Sequence, residues 1–470
     1  MIFTMNHKSG EINKTDILKK LTVFLFWILL WEALNLLINN DILFVGPFDV
    51  AKRFFLNMGR EGYLLSIATS LGTMLLGLVL GVIFGCTFGA LSHRFSLFDE
   101  IFSPFVATLK SIPVASFVVL LLIWAGPTML SCYICLLIVF PTIYVSVKGA
   151  LESTDCRMLD MAKVYGMKTG GKITYIYKSS LAPFLDSGLK IAVGMGIKSA
   201  VAAEIIGLPS HTLGERLYLS KVSLETADLF AWTLTIIIIG FLLEKAVLFA
   251  WRKYAAYYPV PRVRYTKRPE HSDEGVFLFS KVSKSYGDEK VVNNKSFSFE
   301  FGKNYCLMGP SGCGKTTLLS LMMGTLKTDD GFLKGDMISG NATTGDIVFS
   351  AVFQENRLME DANGVVNVMA ATGVSEKDAR EGLGRLLGEE YIYKPVRDLS
   401  GGQKRRICIV RAVMAASDII VLDEPFTGLD GEAVENAVNY ILENKHGRTI
   451  VMSTHLEAEA RMMDAKVIKL

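Results

Sequence analysis

The sequence predicts two domains, an all-α polytopic membrane domain followed by an α/β P-loop domain. Three observations support this fold class. The N-terminal half holds about six long apolar stretches, and the C-terminal half contains a glycine-rich phosphate-binding motif at 309–316. In addition, 51% of the 470 residues are hydrophobic, and the mean hydropathy is +0.36. Such hydropathy is high for a soluble protein and is expected of a chain that lies partly in lipid.

Each of the six apolar stretches approaches the length of about 20 residues that a helix needs to cross a bilayer. They lie at roughly 21–38, 65–91, 105–125, 128–147, 185–207 and 229–250. We expect six transmembrane helices, an even number that places both termini on one side of the membrane. The predicted domains are a cytosolic N-terminal segment at 1–20, the membrane domain at 21–255, a linker at 256–275 and the P-loop domain at 276–470.

Charge is unevenly distributed along the chain. Residues 1–270 contain 26 Lys and Arg against 18 Asp and Glu, whereas residues 271–470 contain 23 against 28. The segments assigned to the cytosolic side carry 17 basic residues and those assigned to the outside carry five, in agreement with the positive-inside rule. Because the basic half is also the apolar half, anionic lipid accounts for its charge better than nucleic acid does.

The seven cysteines are scattered and do not form the paired pattern of a disulfide framework. Cys132 and Cys135 form a C-x-x-C pair, but it lies in an apolar stretch and has no second pair. We therefore favour buried hydrophobic residues over a metal or redox site at these positions.

The motif at 309–316 fits the pattern G-x-x-x-x-G-K-[ST]. In such a loop, backbone N–H groups surround phosphate oxygens at the start of a helix. We expect Lys315 to reach the β- and γ-phosphates and Thr316 to offer its hydroxyl to Mg²⁺. The predicted phosphate-binding residues are Gly309, Pro310, Ser311, Gly312, Cys313, Gly314, Lys315, Thr316 and Thr317.

Two further motifs follow the P-loop. The continuous apolar run at 419–422 predicts a buried parallel strand that delivers Asp423 to the metal, directly or through water. Glu424 is then the candidate general base that polarises the attacking water. The run Leu399-Ser400-Gly401-Gly402-Gln403 is predicted to open a helix whose N–H groups and serine hydroxyl suit a γ-phosphate.

With Gln354, Asp430 and His455, these motifs stand in the order found in the nucleotide-binding domain of ABC transporters, which this half of the chain resembles. The resemblance implies ATP as the nucleotide, with Tyr286 stacked on its adenine. It implies nucleotide contacts from Ser400, Gly401, Gly402, Gln403 and Asp430, catalytic roles for Glu424, His455 and Gln354, and Mg²⁺ held by Thr316, Gln354 and Asp423. In this family the Ser400 motif acts on ATP held by the other subunit, so a homodimer with two ATP sites is expected.

The membrane half resembles the permeases of binding-protein-dependent ABC importers. Lys110-Ser111-Ile112-Pro113 resembles part of their third span, and Asp160-Met161-Ala162 followed by Gly166 resembles their cytosolic docking loop, with aspartate in place of the usual glutamate. The most similar subfamily by pattern is the nitrate, sulfonate and taurine type. The resemblance implies a short helix at about 155–172 that docks on the ATPase, with Gly166 allowing a turn. An ordinary solvated loop is the alternative.

Lys198 and Glu204 are ionisable residues inside the fifth predicted span. Such residues usually face a cavity or a partner. Six positions apart, the two do not share a helix face, which disfavours a pair within one helix. They are expected to line the translocation path or to pair across a dimer axis. The alternative is a snorkelling lysine and a glutamate at the membrane interface.

Taken as a whole, the resemblance implies ATP-driven import of a small solute across the cell (inner, or cytoplasmic) membrane by a multi-pass protein with its ATPase domain in the cytosol. The implied partners are a second copy of the chain and an extracytoplasmic solute-binding protein. The solute suggested is a small anion such as a sulfonate or nitrate, or a vitamin precursor. Two alternatives are a half-size ABC exporter, which the short cytosolic loops disfavour, and an ATP-driven mechanical regulator that moves no solute.

Overall fold

The architecture comes from a computed structural model that describes residues 14–258, 275–287, 289–337 and 347–470. The chain divides into two compact units. The first comprises Met1–Glu152 and Phe184–Trp251, and the second comprises Ser153–Pro183 and Arg252–Leu470. The segment between the fourth and fifth predicted spans therefore clusters with the P-loop domain. Most of the predicted N-terminal segment and most of the predicted linker lie outside the described residues.

The first half of the chain is entirely helical in its described residues. Its helices are α1 (Lys14–Ile38), α2 (Pro47–Met58), α3 (Tyr63–Arg94), α4 (Ser96–Ser111), α5 (Val114–Ala125), α6 (Leu130–Glu152), α7 (Cys156–Val164), α8 (Thr169–Gly171), α9 (Lys178–Gly207), α10 (Leu213–Val222) and α11 (Thr226–Ala256), with a π-helical turn (Lys172–Tyr177) before α9. α7, α8 and the π-helical turn belong to the second unit. The predicted all-α membrane domain is thus confirmed.

The number of apolar spans differs from the expected six. Among the described residues, α1, α3, α6 and α11 are long and apolar enough to cross a membrane. α4 and α5 add a fifth span only as a bent pair, with 101° between them at the break before Pro113. α9, which contains the predicted fifth span, is not among them; it carries the charged residues Asp186, Lys190, Lys198 and Glu204. By length and composition the domain therefore has four or five apolar spans.

α3 and α6 pack closely because small residues recur every fourth position along α3. Gly77, Gly81, Gly85 and Gly89 line the contact, and a β-carbon at Gly77 would lie 2.3 Å from the carbonyl oxygen of Cys132. Such small-residue stripes let two membrane helices approach closely, and dispersion contacts then hold them together. Cys132 and Cys135 lie in this packed region as buried free thiols, in line with the hydrophobic role expected from the sequence.

The second unit contains the α/β domain. Its strands are β1 (Gly275–Tyr286), β2 (Glu289–Glu300), β3 (Asn304–Met308), β4 (Asp330–Met337), β5 (Phe349–Val352), β6 (Ile419–Asp423), β7 (Thr449–Thr454) and β8 (Lys466–Lys469). Its helices are α12 (Lys315–Met322), α13 (Gly364–Thr372), α14 (Glu376–Gly384), α15 (Glu389–Ile392), α16 (Gly401–Met414), α17 (Gly431–Asn444) and α18 (Glu457–Met462), with a 3₁₀ turn (Val396–Asp398).

The strands form two sheets. A three-stranded antiparallel sheet has the order β2-β1-β4, and a five-stranded parallel sheet has the order β5-β6-β7-β3-β8. The apolar run at 419–422 forms the interior of β6 and is fully buried, as a parallel strand covered on both faces must be. The predicted α/β P-loop domain is confirmed, and its parallel sheet sets the position of the candidate site.

Candidate nucleotide-binding and hydrolysis site

The predicted catalytic residues follow neighbouring strands of the parallel sheet. β5, β6, β7 and β3 lie side by side, and in the parallel register Asp423 is opposite Ser453 and Met308 is opposite Thr454. The carboxyl ends of parallel strands meet at one edge of a sheet, where open α/β folds bind ligands. Gln354, Glu424, His455 and the loop that begins at Gly309 all leave this edge. The fold thereby brings together, at one edge of the sheet, residues that are up to about 150 positions apart in the sequence.

The P-loop runs from the end of β3 to the first residue of α12, Lys315. Gly312 and Gly314 have φ values of 83° and 92°, in the left-handed region that favours glycine. The Lys315 ammonium donates hydrogen bonds to the carbonyl oxygens of Gly309 and Pro310, at 2.8 and 2.9 Å. The glycines therefore let the backbone curl around the lysine, and N–H groups point from the start of α12 toward the position of a phosphate.

Asp423 lies at the buried end of β6, and its carboxylate accepts a hydrogen bond of 2.5 Å from the Ser453 hydroxyl. Thr316 also donates to this carboxylate. Burial raises the pKa of Asp423 above its ordinary value, and these two hydrogen bonds oppose the rise. Ser453 is a site residue that the sequence reasoning missed, because its role depends on the pairing of β6 with β7.

A divalent cation fits the oxygen donors gathered here. No cluster of three or more His, Cys, Asp and Glu side chains suited to a metal occurs among the described residues. Mg²⁺, however, needs only one or two carboxylates or hydroxyls together with phosphate oxygens and water. The hydrogen-bonded pair of Thr316 and Asp423 supplies such donors, and Gln354 follows the neighbouring strand β5 at the same sheet edge. These are the three metal-binding residues predicted from the sequence.

Glu424 follows Asp423 in a strained backbone conformation. Its φ is 47°, and its N–H donates to the carbonyl oxygen of Ser453 at 3.1 Å. A left-handed non-glycine residue persists only where the surroundings hold it, and such residues cluster at functional sites. This conformation turns the Glu424 side chain out of the strand direction at the sheet edge. His455, which directly follows the neighbouring strand β7, is exposed at the same edge.

The Ser400 motif opens α16, as the sequence predicted. The Ser400 hydroxyl accepts a hydrogen bond from the N–H of Gln403 at 3.3 Å, and the Gln403 side chain accepts one from the N–H of Ser400 at 2.9 Å, which is a capping box. Ser400 and Gly401 are exposed. This helix N-terminus is therefore accessible at the surface of the second unit.

Asp430 and Tyr286 are the remaining predicted nucleotide-binding residues. Asp430 is the N-cap of α17, and its carboxylate accepts a hydrogen bond from the N–H of Ala433 at 2.9 Å. This contact gives Asp430 a role in starting the helix. Tyr286 ends β1 and is 53% exposed, so its side chain is accessible to a ligand. β2, which continues from this hairpin, passes the P-loop, since a β-carbon at Gly314 would lie 3.0 Å from the Val291 carbonyl oxygen.

Arg405 is a second residue that the sequence reasoning missed. It lies two positions after Gln403 in α16, and only 2% of it is exposed. Its guanidinium donates to the carbonyl oxygens of Phe353 (2.5 Å), Asp423 (2.8 Å), Pro425 (3.0 Å), Gln354 (3.3 Å) and Glu424 and to the side-chain oxygen of Asn356 (3.3 Å). One buried cation therefore fixes the backbone before Gln354 and around Glu424. The only signal in the sequence is a basic residue just after the motif.

The segment 153–183 packs into the second unit. Met161 and Val164 on α7 are buried in the same hydrophobic cluster as core residues of the α/β domain, including Phe349 and Ile419. This burial excludes a freely solvated loop. The helix expected at about 155–172 is broken after Val164, since Gly166 has a φ of 61° and makes the turn expected of it. We call residues 153–183 the docking segment.

Polar contacts surround this apolar anchor. The Arg157 guanidinium donates to the Glu355 carboxylate at 2.6 Å, and the Lys163 ammonium donates to the Gly324 carbonyl oxygen at 2.6 Å. Arg357 donates back to the carbonyl oxygen of Arg157 at 3.3 Å. Glu355 and Arg357 directly follow Gln354 in the chain. The docking segment therefore contacts the stretch that carries a predicted catalytic residue.

Lys198 and Glu204 have different surroundings in the membrane domain. Glu204 is fully buried; its carboxylate accepts hydrogen bonds from the Ser70 hydroxyl at 2.8 Å and from the Gly214 N–H at 3.1 Å. It thus joins α9 to α3 and to the start of α10. Lys198 is exposed on α9. Of the two, Lys198 alone remains a candidate for the translocation path or for a dimer contact.

Comparison with known families agrees with this two-part architecture. Residues 63–255 match the family described as binding-protein-dependent transport system inner membrane component. Residues 292–427 match the family described as ABC transporter.

Among curated relatives, a Nod factor export ATP-binding protein I from Burkholderia orbicola is 35% identical over 197 residues, which are 39% of this chain and 64% of the relative. A spermidine/putrescine import ATP-binding protein PotA from Pasteurella multocida is 32% identical over 200 residues, which are 40% of this chain and 54% of the relative. The chain thus spans less than two thirds of the length of either protein.

Among solved structures, a dimeric ATP-binding cassette in a post-hydrolysis state, bound to ADP and Pi, is 27% identical to this chain. The match covers 41% of this chain and 94% of that cassette, with a TM-score of 0.37. The two family matches and the two described units lead to the same assignment. The chain joins a permease domain of the binding-protein-dependent transport type to an ABC ATPase domain in a single polypeptide.

Proposed function

We propose that this chain is one half of an ATP-driven importer of a small solute and that two copies form the working transporter. The observation that carries the proposal is the union, in one chain, of an inner-membrane transport domain with an ATPase domain whose sheet edge gathers the full predicted catalytic set. A permease fused to its own ATPase needs no separate cassette subunit. The chain would lie in the cell membrane with the ATPase domain in the cytosol.

The residues at the sheet edge suit in-line attack of water on the γ-phosphate. Lys315 and the N–H groups at the start of α12 would bind the phosphates, and the exposed ring of Tyr286 would stack on adenine. Thr316, Asp423 and Gln354 would hold Mg²⁺, which when bound neutralises charge that develops on the transferred phosphoryl group. Glu424 would accept a proton from the attacking water, and His455 would contact the γ-phosphate and support Glu424.

A dimer is proposed because, by the family resemblance, the Ser400 motif would act on a nucleotide held by another subunit's P-loop. The exposed N-terminus of α16 offers N–H groups and a hydroxyl that another subunit's ATP can reach. A related solved cassette is dimeric with ADP and Pi bound. Two copies of this chain would complete two equivalent ATP sites, and closure and reopening of the cassette pair would follow ATP binding and hydrolysis.

Coupling to the membrane domain is assigned to the docking segment. It is covalently continuous with α6 and α9, while its apolar residues Met161 and Val164 are buried in the ATPase unit. A change in the ATPase domain would therefore be transmitted to the ends of α6 and α9, two helices of the permease domain. Rigid-body movement of this kind is a common way to switch between two states. In this proposal it alternates access to the solute from the two sides of the membrane.

The ion pair of Arg157 with Glu355 provides a test of this coupling. Both side chains are about half exposed, so solvent screens the pair and its contribution to stability is small. Arg157→Glu or Glu355→Arg alone is expected to reduce solute-stimulated ATP hydrolysis about two- to fivefold. The double variant, which restores opposite charges, should recover most of it. The same exchange at the exposed pair of Arg380 and Glu389 is the control; a double variant no better than the singles would contradict direct pairing.

The direction of transport rests on the inner-membrane-component family, because the curated relatives include both export and import proteins. An extracytoplasmic solute-binding protein would deliver the solute. The class proposed from the subfamily pattern is a small anion such as a sulfonate or nitrate, or a vitamin precursor. A half-size exporter is the second candidate, supported by the Nod factor export relative. A mechanical regulator that moves no solute is the third.

The first experiment measures ATP hydrolysis by the full chain in lipid nanodiscs, with candidate solute-binding proteins each loaded with a panel of small anions. Stimulation by one loaded binding protein, but not by the same protein without solute, is the expected result and would also identify the solute. Hydrolysis that no binding protein changes, but that lipophilic compounds increase, would favour the exporter. Hydrolysis that neither changes would favour the regulator.

A further inference from the structure

Tyr165 follows α7 in the docking segment, and its side chain enters the ATPase unit. The hydroxyl donates a hydrogen bond to the carbonyl oxygen of Ala351 at 2.9 Å. The same oxygen accepts one from the N–H of Ala351 at 3.4 Å. The ring packs against the hydrophobic cluster that contains Met161 and Phe349. One side chain of the docking segment therefore meets both backbone polar groups of a single residue in β5.

β5 is an edge strand, which gives this contact its importance. In the order β5-β6-β7-β3-β8, the described residues provide β5 with a neighbour on one side only. In a parallel ladder, the N–H and C=O of one residue point to the same side of the strand, so an edge strand has residues without a strand partner. Ala351 is fully buried, and its groups cannot rely on water. The Tyr165 hydroxyl pairs both groups, as a further strand would.

The strand that Tyr165 supports leads directly to Gln354. β5 ends at Val352, and Arg405 holds the carbonyl oxygens of the next two residues, Phe353 and Gln354. The backbone that leads to Gln354 is thus held at two places. Tyr165 of the docking segment holds it at Ala351, and Arg405 holds it at Phe353 and Gln354. A shift of Tyr165 would move the backbone two to three residues before Gln354.

The ring of Tyr165 also contacts the helix of the Ser400 motif. The guanidinium carbon of Arg411, on α16, lies 5.4 Å from the ring centroid, within the range of a cation–π contact. Arg411 is 1% exposed and donates to the carbonyl oxygen of Arg357 at 2.6 Å. The phenol therefore joins the docking segment to β5 through its hydroxyl and to α16 through its ring.

We infer that Tyr165 is a positioning residue for ATP hydrolysis. By completing the open edge of β5 it fixes the position of Gln354. The rate of hydrolysis therefore depends on where the docking segment lies on the ATPase unit. This inference rests on the proposed function. Burial raises the pKa of the Tyr165 hydroxyl above its ordinary value, so the group keeps its proton, and both hydrogen bonds, at neutral pH.

The test compares the full-length wild type with Tyr165→Phe in lipid nanodiscs. Phenylalanine keeps the ring and its packing but removes the hydroxyl. We expect kcat for ATP to fall about tenfold and KM for ATP to stay within about twofold, since nucleotide contacts are untouched. Hydrogen exchange should also become faster in a peptide that covers 349–354, because the Ala351 N–H loses its acceptor. Tyr177→Phe, a half-buried tyrosine of the same segment, is the matched control.

The outcomes separate this inference from the proposed function. Lower kcat with unchanged KM and faster exchange in 349–354, both absent in Tyr177→Phe, is the supporting result. Wild-type kcat in Tyr165→Phe overturns the inference alone, because the contact then does not affect hydrolysis. A raised KM with an equal loss of thermal stability overturns it in favour of a purely structural role. Absence of hydrolysis by the wild type overturns the proposed function, and the inference with it.

Discussion

Glu424→Gln is expected to slow ATP hydrolysis by about 10²- to 10⁴-fold while ATP still binds, since a general base contributes rate factors of this size. Glutamine has the shape of glutamate but cannot accept the proton of the attacking water. Two hydrogen bonds hold the backbone at this position. The Glu424 N–H donates to the carbonyl oxygen of Ser453, and the Arg405 guanidinium donates to the carbonyl oxygen of Glu424. Because these contacts involve the main chain only, the variant should fold and position its side chain as the wild type does.

Phosphate release at saturating ATP measures the rate, and equilibrium binding of ATP with Mg²⁺ measures retention of the nucleotide. Glu435→Gln, at an exposed glutamate on α17, makes the same chemical change away from the sheet edge and should leave the rate near that of the wild type. Turnover within a fewfold of the wild type in Glu424→Gln would mean that another group accepts the proton. A loss of ATP binding would instead mean that Glu424 serves the nucleotide.

Arg405→Met is expected to lower the free energy of unfolding of the ATPase domain by at least about 3 kcal/mol, because each buried acceptor left without a donor costs about 1–3 kcal/mol. The methionine fills much of the space of the arginine stem but leaves several backbone carbonyl oxygens unpaired. Three of them belong to Phe353, Gln354 and Pro425. We therefore expect hydrolysis to fall as well, even in the fraction that stays folded.

Thermal unfolding, followed by a probe of the ATPase domain, measures the first effect, and kcat at a temperature where the variant is folded measures the second. Arg461→Met is the control, because Arg461 is 80% exposed and its ion pair with Glu457 is a surface pair. Such a pair contributes little to stability. A melting temperature for Arg405→Met equal to that of the control would show that water replaces the guanidinium at these carbonyl oxygens.

Several features could be predicted because they are encoded locally. The glycine spacing of the P-loop requires left-handed backbone at particular positions, and the φ values of Gly312 and Gly314 meet that requirement. The apolar run before Asp423 is too short and too continuous for anything but a buried strand, and it forms β6. The turn at Gly166 could be predicted for the same reason, because glycine readily adopts a positive φ. In each case a few adjacent residues carry the whole signal.

Other predictions went astray where distant residues compete with the local pattern. The apolar stretch at 185–207 was expected to be a span, but α9 is not among the helices apolar enough to cross a membrane, and its Glu204 is buried against Ser70 and Gly214. The expected docking helix was a single element, but it breaks after Val164 because Gly166 turns the chain. A bend of 101° divides the stretch at 105–125 into α4 and α5. The spacing of apolar residues in the sequence indicates which face of a helix is apolar, but it does not indicate which other element packs against that face.

The sequence by itself determined the order of the two domains, the P-loop, the general-base candidate and the docking segment, since each depends on residues within one short window. Only the tertiary structure decided which side chains support them. Ser453 reaches Asp423 because β6 pairs with β7. Arg405 reaches Gln354 and Glu424 because α16 packs beneath the sheet edge. Tyr165 completes β5 from 186 residues away. Backbone hydrogen-bond acceptors carry no sequence signature, so partners of this kind emerge only when the chain is folded.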